Sequence, residues 1–196
     1  MRRGARREAG RGGEGIHVLK TLTRLFLLVA VLAAGSIPAA ESRDPDHHFF
    51  NLNTGNLKAE LTEARSAGKS AVFVMFEQEG CPGCLYMKKN VLNRVDVQKF
   101  YREHFVSFTI DIFGAVPISD FAGRDFTEKS YSQSVGIKGT PTFAFYDLEG
   151  NEVLRIVGPV KAVADFLLLG EFVASGAYKS RKFAEYRQSH RRKKGS

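Results

Sequence analysis

The 196-residue sequence contains only two cysteines, no tryptophan and no internal repeat. Nothing in it is typical of a nucleotide, flavin or haem site, so we expect no bound cofactor. Both cysteines lie in FEQEGCPGC, Phe76 to Cys84, and a disulfide there would close a small ring. Because stabilisation by a disulfide grows with the length of the loop that it closes, a purely structural role for the pair is weak. The chain is long enough for one domain with a sizeable hydrophobic core.

The first 40 residues have the pattern of an export signal. Two basic residues precede the apolar run Leu25–Ala34, and small residues follow it up to Ala40. The run is about half of the ~20 residues that span a bilayer, which favours a cleaved signal over a permanent anchor. The charged leader before it indicates a start site assigned too early, with translation beginning near Val18. We therefore expect residues 1–40 to be a signal peptide and the mature protein to lie in the periplasm.

The net charge of +8 is concentrated at the two ends of the chain. Residues 1–40 carry a net +5 and residues 179–196 carry +7, whereas residues 41–178 carry −4. The central region is therefore a mildly acidic domain, and the basic ends are no argument for a nucleic-acid-binding fold. We expect no nucleic-acid partner. The basic C-terminal tail, residues 179–196, is predicted to fray beyond Tyr186.

The hydrophobic pattern of residues 41–178 predicts one α/β domain. Strands are expected over Ala71–Phe76, Phe105–Ile112, Thr142–Asp147 and Glu152–Gly158, and helices over Asn53–Ala67, from Cys81 through Val91, Asp96–His104, Thr127–Ser134 and Val160–Ala174. Strands separated by helices imply parallel neighbours, and the tight turn LEGN implies a final antiparallel hairpin. The prediction is a four-stranded mixed sheet flanked by helices, with a loop over Phe113–Phe126.

The spacing of the two cysteines points to redox chemistry. Cys81 follows a predicted buried strand and opens a helix, and Pro82 fits the first helical position, where no N–H group is needed. Free N–H groups and the positive end of the helix stabilise a thiolate, and cysteines so placed have pKa values of about 3.5–7.5 instead of ~8.5. Cys84 lies one turn later and is expected to be more buried. The pattern predicts that Cys81 attacks a partner disulfide and that Cys84 resolves the mixed disulfide.

Two other interpretations of the pair stay open. The cysteines could be an inert buried pair, or they could bind a metal ion such as Cu(I), which prefers soft thiolate ligands, without any turnover. A four-coordinate metal site would need two more ligands. The nearest candidates in the sequence are His47 and His48.

A second motif, KGTPTF, places Pro141 directly before a predicted strand. A proline at that place must have a positional reason. A cis Thr140–Pro141 bond would place an open backbone edge beside the cysteines, where a substrate strand could pair with it. Thr140 and Pro141 therefore join Cys81 and Cys84 as predicted site residues.

From Asn53 to Ala174 the sequence resembles the thioredoxin fold. More narrowly, FEQEGCPGC, HFVSFTIDI, FAGRDFTEKSYSQSVGIKGTPTF and EFVASGAY are similar to SoxW-like exported thioredoxins, which accompany bacterial sulfur-oxidation systems. The resemblance implies a thiol–disulfide oxidoreductase with Cys81 as nucleophile, Cys84 as resolving thiol and Pro141 as the cis-proline. It also implies a protein, expected to be a monomer, that receives electrons from a membrane electron donor and reduces disulfides of exported partner proteins.

Three features depart from the thioredoxin pattern. Gly80 stands where many thioredoxins have tryptophan, and Met75 stands where they have a buried acid that moves protons for the resolving thiol. Glu77 or Glu79 could take over that role. The dipeptide between the cysteines is proline–glycine instead of glycine–proline, and this dipeptide helps to set the reduction potential. The sequence therefore leaves the direction of electron flow open, and a disulfide oxidase or isomerase is the alternative to a reductase.

Overall fold

A computed structural model describes residues 42–194, and the predicted signal peptide lies outside them. Among the described residues, no helix is both long and apolar enough to span a bilayer. The helices are α1 (Pro45–His48), α2 (Leu57–Ser66), α3 (Pro82–Met87), α4 (Val95–His104), α5 (Glu128–Ser134), α6 (Val163–Ala174) and α7 (Phe183–Lys194). A π-helical turn, Lys88–Leu92, continues α3, and a 3₁₀ turn, Ala177–Lys179, follows α6. The strands are β1 (Ala71–Glu77), β2 (Phe105–Asp111), β3 (Pro117–Ser119), β4 (Asp125–Thr127), β5 (Thr142–Tyr146) and β6 (Glu152–Val157).

Four of the strands form a mixed sheet in the order β2–β1–β5–β6. β1 and β2 are parallel, with Glu77 opposite Asp111 where both strands stop. β5 runs antiparallel to β1, and β6 runs antiparallel to β5. The predicted fold class, a four-stranded mixed sheet flanked by helices, is confirmed. The ends of β1, β2 and β6 and the start of β5 lie together, and we call this end of the sheet the site end.

The direction of β5 differs from the expectation that strands separated by helices are parallel neighbours. The helix before it, α5, has seven residues and rises by about 10 Å, roughly half of the ~23 Å that a seven-residue strand spans. It is therefore too short to return the chain to the far end of the sheet. β5 starts at the site end, with Thr142 opposite Phe76, and runs back along β1.

β1 is the centre of the hydrophobic core. Its first six residues, Ala71 to Phe76, are fully buried. Successive side chains of a strand point to opposite faces, so Phe73 and Met75 pack into the cluster formed with α4 and α6, whereas Val72 and Val74 pack into the cluster formed with α2 and α5. Burial on both faces is why this strand is a continuous apolar run instead of an alternating pattern.

The segment Phe113–Phe126, which was expected to be a loop, contains β3 and most of β4, and these two strands form a short hairpin. The carboxylate of Asp120 holds the turn, because it accepts hydrogen bonds from the main-chain N–H groups of Ala122 (2.9 Å) and Arg124 (2.8 Å). Each strand has only three residues. A strand that short is below the length at which alternation of polar and apolar residues can be recognised.

The prediction that the chain frays beyond Tyr186 is wrong, since α7 continues to Lys194. Two aromatic rings of α7 pack on Phe172 of α6, with ring centres 5.4 Å away for Phe183 and 5.3 Å away for Tyr186. Arg187 and Arg191 are exposed. The tail is thus a basic helix held to the domain by its aromatic side.

Candidate redox-active site

Cys81 and Cys84 form a disulfide at the site end, with their Cα atoms 5.3 Å apart. Cys81 is the N-cap of α3, and its Sγ accepts a hydrogen bond from the main-chain N–H of Cys84 at 3.1 Å. Pro82 occupies the first helical position, as the sequence predicts. The two cysteines are 4% and 3% exposed, so the expected difference in their burial is absent in this oxidised form.

Pro141 lies against the dipeptide between the cysteines, and the Thr140–Pro141 bond is cis, as predicted. A Cβ atom placed on Gly83 would be only 2.8 Å from Cδ of Pro141. The carbonyl of Pro141 accepts a hydrogen bond from the N–H of Gly158 at 2.8 Å. Thr140 is half-buried, and its main-chain N–H and carbonyl form no hydrogen bond with another described residue. The structure therefore brings all four predicted site residues together and leaves the main chain of Thr140 open.

The two cysteines line a depression of about 280 Å³, which we call the cysteine depression. Its charged lining consists of Glu77, Glu79, Lys88 and Asp111. Lys88 lies one helical turn after Cys84, and its ammonium group is 3.0 Å from a carboxylate oxygen of Glu77 and 2.9 Å from one of Asp46. Partial burial acts to lower the pKa of Lys88, but the hydrogen bonds and negative charges of these two carboxylates outweigh it and raise the pKa. Lys88 is therefore a permanent positive charge beside the pair.

Met75 stands at the position of the buried acid of thioredoxins, and it is completely buried. The carboxylates lie instead at the rim, where Glu77 and Asp111 are register partners. A third carboxyl group, that of Glu128 at the start of α5, lies near them. Partial burial raises the pKa of Glu128, and the negative charges of Asp111 and Glu77 raise it further.

Sequence reasoning singled out Glu77 and Glu79 as possible proton carriers but missed Asp46, Lys88 and Glu128. The sequence does carry a local signal for Lys88, because a residue four positions after Cys84 lies on the same side of a helix. Asp46 and Glu128 had none, because only the tertiary fold brings them to the site end.

His47 and His48, the candidate metal ligands, are exposed on α1. His47 lies 3.6 Å from the carboxylate of Asp44. Within residues 42–194, no three side chains of histidine, cysteine, aspartate or glutamate are grouped so that they could hold a metal ion.

Gly83 provides a direct test of the packing between the dipeptide and Pro141. A Cβ at this position would meet Cδ of Pro141 at 2.8 Å and Cδ of Pro159 at 3.6 Å. We expect Gly83→Ala to destabilise the oxidised protein by about 1–3 kcal/mol, since either α3 or the start of β5 must shift. The free energy of unfolding in urea measures this effect. Gly139→Ala is the matched control, because a Cβ there meets no atom within 4 Å, and it is expected to change stability by less than about 0.5 kcal/mol. Equal losses in both variants would contradict the packing argument.

A redox-active cysteine pair at the start of a helix, facing a cis-proline across one end of a mixed four-stranded sheet, defines the thioredoxin-like proteins. The chain belongs to this family, because the model of the family described as "Thioredoxin-like domain" matches residues 57–174. The match lies within the region Asn53–Ala174 for which the sequence predicted the thioredoxin fold.

A solved structure shares the fold. A thioredoxin-fold protein from Helicobacter pylori superposes with a TM-score of 0.59 at 18% identity, covering 72% of this chain and 91% of that one. The C-terminal domain of Neisseria meningitidis DsbD in its reduced form gives 0.45 at 19% identity, with 59% and 90% covered. A thioredoxin from Thermus thermophilus gives 0.46 at 27% identity, with 59% and 81% covered. The comparison with curated proteins found no match, and the narrower likeness to SoxW-like thioredoxins stays a prediction.

Proposed function

We propose that the protein is an exported thiol–disulfide oxidoreductase that reduces disulfides of periplasmic partner proteins through Cys81 and Cys84. The observation that carries the proposal is the position of Cys81 at the start of α3, where its sulfur accepts the N–H of Cys84. A group that accepts a hydrogen bond there is stabilised further as a thiolate. The open main chain of Thr140, beside Pro141, supports the proposal because a partner strand can pair with it.

The reaction balances with two electrons and two protons. In the reduced protein the Cys81 thiolate attacks one sulfur of the partner disulfide, so that a mixed disulfide forms and the other partner sulfur leaves as a thiolate. Cys84 then loses its proton and attacks the Cys81 sulfur, which releases the second partner thiol. The partner gains two electrons from the two cysteines. One of its two protons is the one that Cys84 gives up, and the other comes from water, which balances the proton that Cys81 lost when it ionised; this protein becomes the Cys81–Cys84 disulfide. A membrane electron donor of the thioredoxin-reducing type would reduce it again.

The second step needs an acceptor for the Cys84 proton. Met75 cannot accept it, although it occupies the position where thioredoxins carry an acid. The carboxylates of Glu77, Glu79 and Asp111 line the same depression as Cys84. We therefore assign proton transfer to this rim of carboxylates and the water that reaches it, instead of to a single buried acid.

The position of Pro82, directly after the first cysteine, resembles that in the oxidising members of the fold, so an oxidase or isomerase is the second candidate function. Proteins that reduce partner disulfides and proteins that form them differ in reduction potential, which is about −270 mV for thioredoxin and about −120 mV for a strong disulfide oxidant. The partners of a reductase in this setting would be exported proteins, including those of a sulfur-oxidation system.

The test is to equilibrate the protein with glutathione redox buffers and to measure the Cys81–Cys84 disulfide by alkylation and mass spectrometry. We expect a potential more negative than about −200 mV, together with catalysed reduction of a protein disulfide. A potential near −120 mV would reverse the direction and support the oxidase. Stoichiometric copper in the reduced protein without any disulfide exchange would contradict both, and the double variant Cys81→Ser/Cys84→Ser provides the background rate.

A further inference from the structure

Exposed apolar side chains are distributed unevenly over the described residues. Five large ones are exposed, with exposed fractions between 60% and 88%: Leu52, Leu85, Phe113, Val116 and Val157. Leu85 follows Cys84, Phe113 and Val116 follow the end of β2, and Val157 is the end of β6. Leu52 lines a neighbouring depression together with Glu77 and Lys88. All five therefore lie around the site end, and such clustering marks an interaction surface.

Phe113 and Val116 belong to a short segment, residues 113–116, which we call the arm. The main-chain N–H of Phe113 donates to the carboxylate of Asp111 at 3.0 Å, and the N–H of Gly114 donates to the carbonyl of Asp111 at 2.9 Å. At its other end, the carbonyl of Val116 accepts the N–H of Glu128 at 3.0 Å. A Cβ on Gly114 would collide with the carboxylate of Glu128. The arm is thus fixed at both ends and presents its apolar side chains in a preformed position.

The surface between the arm and the disulfide is acidic. Leu85 and Asp111 line the cysteine depression together, and the arm begins two residues after Asp111. This depression has three carboxylates, from Glu77, Glu79 and Asp111, against one ammonium group, that of Lys88. Two negative charges therefore remain uncompensated beside two apolar surfaces. A partner that complements this surface carries apolar and basic side chains together.

We propose that Leu85 and the arm form a docking surface for a partner-protein segment in which an apolar residue and a lysine or arginine lie next to the reactive cysteine. This inference rests on the proposed function, because it concerns the partners of the same disulfide. Docking on the arm lies on the β2 side of the disulfide, whereas strand pairing with Thr140 lies on the β5 side. The two contacts hold the partner sulfur between them.

Two synthetic peptides of equal length, each closed by the same disulfide, provide the test. One carries leucine and arginine beside a cysteine, and the other carries serine and glutamate there. For the unmodified protein we expect kcat/KM to be about tenfold higher with the leucine–arginine peptide, which corresponds to a binding difference of about 1.4 kcal/mol. The preference should shrink as ionic strength rises, because salt screens the charged part of the interaction.

The double variant Phe113→Ser/Val116→Ser is expected to lower the ratio of the two kcat/KM values by about threefold or more. The ratio that remains should be close to the one that charge alone produces. Glu103→Ser is the control, since Glu103 is exposed just before β2, at the far end of the sheet, and it should keep the ratio of the unmodified protein. Thermal unfolding checks that the double variant is folded, and Phe113→Ser alone replaces it if the double variant is not.

The outcomes separate the two proposals. A ratio unchanged in the folded arm variant, with both peptides still reduced, would overturn the docking surface and leave the proposed function intact. The same holds if the unmodified protein reduces both peptides at equal rates. If the unmodified protein reduces neither peptide nor oxidised glutathione, the proposed function fails and the docking surface fails with it.

Discussion

Cys81→Ser is expected to abolish disulfide exchange, with a loss in rate of about a thousandfold or more, as for the removal of other catalytic nucleophiles. The reason is that a serine hydroxyl is not ionised near neutral pH and cannot form a mixed disulfide. Cys84→Ser is expected to behave differently. Its Cys81 still attacks a partner, but the mixed disulfide cannot be resolved and accumulates.

The measurement is non-reducing electrophoresis of protein trapped by alkylation in the exported compartment, followed by mass spectrometry of the adducts. Cys84→Ser should carry partner proteins through Cys81, whereas the double variant Cys81→Ser/Cys84→Ser should carry none. Adducts on Cys81→Ser but not on Cys84→Ser would show that the two cysteines have opposite roles. Adducts with exported proteins whose cysteines function as free thiols would support the reductase. Adducts with newly exported proteins whose cysteines are still to form disulfides would support the oxidase.

The site was predictable from the sequence because its geometry is local. A continuous apolar run predicts a strand buried on both faces, and a cysteine followed by proline predicts the start of a helix. The disulfide spans only three positions, so the positions of Cys81 and Cys84 follow once α3 is placed. Pro141 was identified by a local signal as well, a proline at the start of a strand.

The surroundings of the site were not predictable in this way. Lys88 binds Asp46, and Glu128 approaches Asp111, over separations of 42 and 17 positions in the sequence. Neither pair leaves a periodic pattern, because the partners lie on elements that only the tertiary fold brings together. The same applies to the direction of β5, which depends on how far α5 carries the chain.

Helix α7 shows a different limit. Its polar and strongly basic composition is typical of a solvated tail, and for this reason the sequence predicted no helix there and a frayed end beyond Tyr186. What holds it is the packing of Phe183 and Tyr186 on Phe172, two contacts in a segment that is otherwise mostly polar. The packing of these two rings allows a helix that extends further than composition indicates.

The other large effect is expected at Tyr101, in the hydrophobic cluster on one face of β1. This side chain is completely buried, stacks on Phe166 with ring centres 4.7 Å apart, and packs edge-on against Phe73 at 5.3 Å. Its hydroxyl donates a hydrogen bond to the carbonyl of Phe166 at 2.8 Å. Burial raises the pKa of Tyr101 well above its usual value, so the hydroxyl remains a donor at all ordinary pH values.

Tyr101→Ala is therefore expected to lower the free energy of unfolding by about 3–5 kcal/mol, because it leaves a cavity between α4, α6 and β1. Tyr101→Phe keeps the ring and loses only the hydrogen bond, which should cost about 0.5–1.5 kcal/mol. Lys99→Ala, at an exposed position of the same helix, should change stability by less than about 0.5 kcal/mol. Urea denaturation of the oxidised proteins measures all three. A loss for Tyr101→Ala no larger than that for Tyr101→Phe would mean that the buried ring adds nothing to stability beyond the hydrogen bond of its hydroxyl, which contradicts the packing argument for this face of β1.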